Sequence, residues 1–311
     1  MTTTRPILVM MSYRGGERLA RCLDSIERSQ HHFSRIILSV TAAHDSDDMR
    51  QCEEFQQRNP KAEVICTGRE LPTMQHQAFW IDYLQGTQAQ PTDWVYWLAY
   101  DDEVRTRGIN AIVDEHGNWP LRHDTVYFGP WAMRHEQPDH LWDGDPAQAL
   151  ESWTSFPLEG PTRLPVIEWI RQQLIQPTYM QMSGSLCPLH NFIDLRDAKP
   201  TKKGPMRIEM ATAASPGTRF VEEFKQPVSI IYGRSNSDRA SYGQRARVED
   251  WNLMARLARM TLHDPTALLD AFLRDSKPKN RTRRQKSAAT QGAPEEWRVR
   301  ELVAPDERGF G

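Results

Sequence analysis

A chain of 311 residues with 39 Lys+Arg against 41 Asp+Glu carries a formal net charge of -2, and 39% of it is hydrophobic. That balance excludes a disordered polyelectrolyte and a protein that binds nucleic acid through its global charge; the length suffices for one large α/β domain or two small ones without disulfide staples. The cysteines, Cys22, Cys52, Cys66 and Cys187, form no C-x-x-C pair, which argues against structural zinc and fits a reducing compartment. With no basic-then-apolar leader pattern and no apolar run near the ~20 residues of a membrane helix, a soluble, cytoplasmic protein is expected.

The first half alternates strands and helices. Ile7 to Met11 reads as a strand, and Ser12-Tyr13-Arg14-Gly15-Gly16 as a turn before an amphipathic helix from Glu17 to about Ser29, with Leu19, Leu23 and Ile26 at helical spacing. The glycines permit a tight turn whose backbone N–H groups face an anion. Arg35 to Val40 is a second strand, followed by an acidic loop from Thr41 to Asp48 and a helix to about Asn59, which Pro60 stops. Ala62 to Thr67 is a third strand; the loop Gly68 to Pro72 leads to a helix from about Thr73 to Gln85.

The fourth strand organises the rest. Trp94-Val95-Tyr96-Trp97-Leu98-Ala99-Tyr100 is apolar and aromatic almost throughout, as an interior strand buried on both faces requires, and it ends in Asp101-Asp102-Glu103. Carboxylates do not share that burial unpaired, so they belong at the C-terminal edge of the strand, where open α/β sheets bind ligands and where adjacent acids suit a divalent cation. An acidic turn capping a helix from about Thr106 is the other reading of the same residues. The βαβ order implies a mostly parallel sheet with right-handed crossovers, which brings the loops after all four strands to one rim.

Beyond this the pattern is less regular. Thr125 to Met133 reads as a strand, His135 to Pro161 as an irregular Trp-rich stretch, and Pro165 to Gln176 as a helix. Tyr179 to Leu189 is strand-like, Met206 to Ala214 a short helix, and Arg219 to Glu222 and Val228 to Tyr232 are strands. Gln244 to Leu262 and Pro265 to Arg274 read as C-terminal helices. From Lys277 to Pro294 the chain is basic and polar, a composition of flexible tethers that also leaves a nucleic-acid contact open.

Over residues 5 to 240 the arrangement resembles a GT-A fold glycosyltransferase, similar to the inverting family-2 group. Ile7 to Arg14 stands where that family has a strand ending in a Thr-Tyr-Asn-Arg-like nucleotide loop, and Leu98-Ala99-Tyr100-Asp101-Asp102 where it has Leu-Asp-x-Asp-Asp. The resemblance implies a GT-A-like α/β fold: a mixed, mostly parallel sheet flanked by helices, with C-terminal helices. It implies a glycosyltransferase domain over 1–240, with a nucleotide-binding half at 1–130 and an acceptor half at 131–240, then C-terminal helices over 241–275 and a basic flexible tail over 276–311. In that family the D-x-D turn holds Mn2+ or Mg2+ against the donor diphosphate. Asp101 matches the residue that touches the metal and Asp102 a neighbour of metal or sugar, while Ala99 replaces the motif's first Asp.

By the same resemblance Glu209, in Met206-Arg207-Ile208-Glu209-Met210, is the general base that deprotonates the acceptor hydroxyl, with Glu222 and Glu223 as nearby competitors. Ser12, Tyr13, Arg14, Thr41 and Arg69 fall on nucleotide loops, Tyr13 being suited to stack on the base. Gly184, in Ser183-Gly184-Ser185, matches a small-residue segment along the donor sugar, and alternatively marks a strand bulge. Arg234 stands near where many relatives carry a metal-binding His and suits a diphosphate. The expected function is transfer of a sugar from a nucleotide-sugar donor to an acceptor hydroxyl, inverting and metal-assisted, with glycan, lipid-linked, protein and modified nucleic-acid acceptors all open. Ala99 and the missing His keep a second expectation alive, a nucleotide-sugar-binding or scaffolding protein without turnover. A sugar nucleotidyltransferase shares a related sheet, but Arg14-Gly15-Gly16 is a poor version of its first loop.

Overall fold

The computed structural model describes residues 5–129, 131–136, 152–154, 163–166, 168–169, 182–197, 212, 215, 217–225 and 227–234. All of them belong to the unit Met1–Ser276; the unit Lys277–Gly311, and with it the basic tail, lies outside the described residues, as do the expected C-terminal helices.

The strands β1 (Ile7–Ser12), β2 (Arg35–Val40), β3 (Ala62–Cys66) and β4 (Trp94–Ala99) are separated by helices α1 (Glu17–Ser29), α2 (Asp47–Arg58) and α3 (Thr73–Gly86). They pair in parallel, with β1 between β2 and β4 in registers such as Met10 opposite Leu38 and Leu98. After β4 come a short β5 (Glu103–Val104), α4 (Thr106–His116), β6 (Thr125–Phe128), β7 (Trp131–Glu136), β8 (Ser152–Thr154) and β9 (Arg163–Pro165). The remaining described elements are β10 (Ser185–Pro188), α5 (Leu189–Asp197), β11 (Phe220–Glu223) and β12 (Ser229–Arg234).

An eight-stranded sheet runs β3-β2-β1-β4-β10-β6-β11-β9, in which only β10 and β9 point against the rest. Alternation along the central strands feeds two cores. Leu8, Met10, Ile36, Leu38, Tyr96 and Leu98 pack with Leu19, Leu23, Ile26, Cys52 and Phe55 of α1 and α2 on one face. Ile7, Val9, Met11, Ile37 and Val95 pack with Trp80, Ile81 and Leu84 of α3 and Leu189, Phe192 and Leu195 of α5 on the other. Both faces are covered, as the continuous hydrophobicity of the strands requires.

Three sequence expectations change. The single strand expected over Thr125 to Met133 is two strands in different sheets: β6 lies beside β10 and β11, and β7 beside β12 and β8. The break falls at Gly129-Pro130, where a Cβ on Gly129 would come within 3.0 Å of Val228 Cγ2 and where proline brings no amide to a ladder. The second, four-stranded sheet, β5-β12-β7-β8, was not anticipated; its β5 is formed by Glu103 and Val104, directly after the acidic turn. Helix α5 was also missed, although Leu189, Phe192 and Leu195 recur at threefold spacing and are all buried. The helices expected at Met206 to Ala214 and beyond Gln244 lie outside the described residues apart from Thr212.

Candidate active site

The C-terminal ends of the parallel strands share a rim, and the loops there are tied to one another through specific side chains. Asp48, in the first turn of α2, is buried and accepts the Ser12 hydroxyl together with the Gly15 N–H on both carboxylate oxygens, each at 2.9 Å, and the Gly16 N–H at 3.4 Å. The glycine turn expected to face a ligand anion therefore faces an internal carboxylate. Asp48 reached this position because Ser46 caps α2, accepting the Met49 N–H, which sets Asp48 at the helix end nearest β1.

Thr41, buried at the end of β2, performs the same kind of tie toward β3. Its amide donates to the Ser12 carbonyl at 3.1 Å, its hydroxyl donates to the Arg69 carbonyl at 3.3 Å, and that hydroxyl accepts the Leu71 N–H at 2.7 Å. Thr67 donates to the same Arg69 carbonyl. Across the rim, Arg14 pairs with Glu70 at 2.8 Å, and Tyr13 donates its hydroxyl to the other Glu70 oxygen at 3.3 Å. The pair is well exposed, 70% and 49% for the two side chains, so its contribution to stability is small. It fixes geometry more than energy: Arg14 sits at φ 53, a conformation rare for a residue with a Cβ, and its guanidinium lies 5.2 Å from the Tyr13 ring centroid.

Between these loops lies a cleft of about 540 Å³. Residues from β1 (Met11, Ser12), the end of β2 (Thr41), the β3–α3 segment (Glu70 to Thr73, His76) and β4 (Trp97 to Tyr100, without Leu98) line it, with Tyr13 at its edge. Its size suits a small-molecule ligand, and its position outside the strand ends is the one open α/β sheets use. Of the expected nucleotide residues, Ser12, Tyr13 and Thr41 line the cleft. Arg14 stands beside it, paired with Glu70. Arg69 supplies its carbonyl to the loop while its side chain is exposed.

Gly184 is positioned by two neighbouring elements and is not among the cleft residues. Its N–H donates to the Trp97 carbonyl at 2.8 Å, Ser183 Oγ accepts the Ala99 N–H at 3.0 Å, and the Ser183 carbonyl accepts the Ser229 hydroxyl at 3.0 Å. At φ +84, with any Cβ only 2.6 Å from Ser229 Oγ, glycine here lets the turn before β10 press against β12. The close approach is between two segments of the chain. Arg234 ends β12 opposite Glu136 of β7, and Glu209 lies outside the described residues.

At the acidic turn, the Asp102 N–H donates to the Ala99 carbonyl at 3.1 Å. Asp102 and Glu103 are buried, 5% and 7% exposed, whereas Asp101 is half-buried. No group of three or more His, Cys, Asp or Glu suited to a metal exists among the described residues. Asp101 is the more accessible of the acids at this turn.

Trp97 and His76 are among the cleft residues that the sequence did not single out. Trp97 donates its indole N–H toward Met11 Sδ at 3.2 Å and forms part of the wall. His76 of α3 is 2% exposed, with Nε2 2.8 Å from Ser39 Oγ of β2. Burial pushes its imidazole down to about 4, against a smaller pull from a hydrogen bond with the Ser39 backbone. A histidine four residues into a helix carries no pattern signal by itself; the burial that marks it is tertiary.

The fold has counterparts among solved structures. The 1–349 fragment of S. aureus TarS in complex with UDP-GlcNAc superposes with a TM-score of 0.51 at 12% identity, over 87% of this chain and 72% of that one. The fold is GT-A-like. A second structure of TarS 1–349 gives 0.49 at 12% identity over 87% and 71%, and GalNAc-T7 with UDP, GalNAc and Mn2+ gives 0.47 at 12% identity over 88% and 55%. No family model matches the sequence, and no curated protein does. No helix among the described residues is long and apolar enough to cross a membrane.

Proposed function

We propose that this chain is a glycosyltransferase that moves a sugar from a nucleotide-sugar to an acceptor hydroxyl in one inverting displacement. The observation that carries the reading is the cleft at the ends of β1, β2, β3 and β4, in a GT-A-like sheet whose solved counterpart holds UDP-GlcNAc. Tyr13 offers an aromatic face at the cleft edge, Arg14 and Arg69 place cations at the rim, and Trp97, Ala99 and Tyr100 bring the cleft to the turn that carries Asp101. Asp101 would hold a divalent cation, with Asp102 behind it. When bound, Mn2+ or Mg2+ supplies charge stabilisation to the departing diphosphate. The acceptor oxygen attacks the anomeric carbon as the bond from that carbon to the diphosphate breaks, and the hydroxyl proton passes to a carboxylate base, Glu209. Residues 1–240 form the catalytic domain in this reading and Arg234 borders the donor; residues 241–275 and 276–311 are its C-terminal helices and tail.

Calorimetry and turnover together test the proposal. The protein is expected to bind a nucleoside diphosphate more tightly with Mn2+ and to release that diphosphate from the matching nucleotide-sugar, with water as acceptor of last resort. A general base contributes ~10²- to 10⁴-fold to rate and little to donor binding, so Glu209→Gln should cut turnover by roughly that factor while donor affinity stays within a few fold. Tight donor binding with no release under any acceptor would instead establish a nucleotide-sugar-binding protein, the reading that Ala99 favours.

A further inference from the structure

Glu103 and Val104 form β5, a strand of two residues at the edge of the four-stranded sheet. The Arg105 N–H donates to the Val228 carbonyl at 2.8 Å, so in this antiparallel ladder the amide of Val104, opposite Ser229, points away from β12. Val104 is buried, and an edge N–H buried without an acceptor is costly. Helix α1 supplies the acceptor. Ser25 lies buried on the inner face of α1 with Cys22, Leu23 and Ile26; its Oγ accepts the Val104 N–H at 2.9 Å and donates its own proton to the Cys22 carbonyl at 2.6 Å.

The same helix meets both flanks of the acidic turn. Cys22 Sγ lies 3.8 Å from the Ala99 carbonyl before the turn, and Ser29 shares a 2.6 Å hydrogen bond with Thr106 after it. The two ends are held differently. On the β4 side the Ala99 N–H donates to Ser183 Oγ at 3.0 Å and the Tyr100 N–H to the Met11 carbonyl at 3.1 Å, so the large sheet and the turn before β10 fix it. The far end is the two-residue β5, paired with β12 on one side, and Ser25 fastens its other side. Helix α1 also begins at the first loop, whose Ser12, Gly15 and Gly16 are held by Asp48. One helix therefore joins the loop that carries Tyr13 and Arg14 to the far end of the turn that carries Asp101.

We infer that Ser25 is a positioning residue for the acidic turn: by accepting the Val104 N–H it fixes the far end of residues 101–103 to α1 and sets where the turn stands against the first loop. This rests on the glycosyltransferase reading above, in which the reacting part of the donor lies between those two segments. Without the hydroxyl, the Val104 amide stays paired only if the backbone moves to another acceptor, and the turn moves with it. A displacement of about 1 Å in a segment that aligns reacting atoms can cost ~10²-fold in rate. The nucleoside half of the donor, which in that reading meets Tyr13 and Thr41, does not depend on this end of the turn.

The test uses the full chain, its Ser25→Ala and Ser25→Thr variants, and whichever of UDP-, GDP- and dTDP-sugars the wild type cleaves fastest. Alanine is a better helix former than serine, so α1 should persist while the acceptor is lost; threonine keeps a hydroxyl that can donate to the carbonyl three residues back. Ser25→Ala is expected to lower kcat for release of the nucleoside diphosphate about ten- to hundredfold, with donor KM and calorimetric affinity for the matching nucleoside monophosphate within about twofold, and Ser25→Thr to recover most of kcat. Backbone amide exchange should find Val104 protected in wild type and exchanging faster in Ser25→Ala, with α1 unchanged. If Ser25→Ala does not fold, Ser25→Cys, whose thiol accepts weakly, should show the same kcat loss in smaller measure. Unchanged kcat in the folded variant, or a fall in monophosphate affinity as large as that in kcat, overturns the positioning role and leaves the transfer reading standing. A wild type that cleaves none of the donors overturns both.

Discussion

Gly15 donates its backbone N–H to both oxygens of the Asp48 carboxylate, 2.9 Å from each. A glycine turn at the end of a first strand invites a phosphate in sequence, because its amides and the following helix end are positive. Here the chain supplies the anion itself, from a helix that starts more than thirty residues later, and the turn is rigid before any ligand arrives. In the proposed function the donor diphosphate would therefore be met at the arginines on the rim and at the Asp101 turn.

Removing that carboxylate should loosen the whole rim. Asp48→Ala leaves the Ser12 hydroxyl and the Gly15 N–H buried without this acceptor, a loss of about 2–6 kcal/mol at roughly 1–3 per orphaned group. Asp48→Asn keeps one carbonyl oxygen and should lose about half as much. Urea denaturation of the pair measures this, and nucleotide affinity should fall in parallel, since Tyr13 rides on the same turn. Equal stability of wild type and Asp48→Ala would mean that the turn is held by other contacts.

Gly184 should be as intolerant, for two separable reasons. Alanine there adds a Cβ 2.6 Å from Ser229 Oγ and holds a substituted residue at φ +84. The conformation alone costs about 1–2 kcal/mol and the collision adds to it. Ser229→Ala removes the clashing oxygen, though its own Cβ would still lie within 2.9 Å, so the double variant should regain part of the loss and no more. Thermal unfolding of the two single variants and the double variant separates the terms.

The sheet was legible because its information is local. Ile7 to Ser12, Arg35 to Val40 and Trp94 to Ala99 declare themselves by burial on both faces, and the helices between them by spacing. The convergence of loops followed from parallel order alone. What escaped depends on partners distant in sequence. Asp48 reads as one more acid at a helix start, and only the position of Gly15 makes it a tether. His76 reads as a surface helix polar residue until Ser39 buries it. Thr125 to Met133 looks continuous because both halves are strand formers; that they part into two sheets depends on their separate partners, β10 and β11 for the first half and β12 and β8 for the second.

Acid should expose His76. Its folded value is near 4 while an unfolded histidine titrates near 6.5, so between those limits the unfolded chain binds the extra proton and stability rises with pH. The resulting loss of stability begins below about pH 6.5 and levels off at about 3 kcal/mol below about pH 4. His76→Gln should therefore be less stable than wild type at pH 7.5 but lose less on going to pH 5. Parallel slopes in urea midpoint against pH for the two proteins would show that His76 is already charged or already exposed.

The acidic turn makes a sharper separation, because two adjacent aspartates should fail differently. Asp101 is half-buried at the turn after β4, and Asp102 is 5% exposed, with its N–H bonded to the Ala99 carbonyl. If Asp101 is the carboxylate that holds the cation, Asp101→Ala should abolish the tightening of nucleoside diphosphate binding by Mn2+ while stability stays within about 0.5 kcal/mol, as for a residue outside the core. Asp102→Ala should show the reverse emphasis, a stability loss of about 1–3 kcal/mol from a vacated buried polar site, with the Mn2+ effect weakened in proportion. Calorimetric titration of diphosphate with Mn2+ and with EDTA, run beside urea unfolding, gives both readings on each variant. Mn2+ dependence that survives Asp101→Ala and vanishes in a stable Asp102→Ala would move the ligand one residue along the turn; dependence that survives both would remove the turn from the metal altogether.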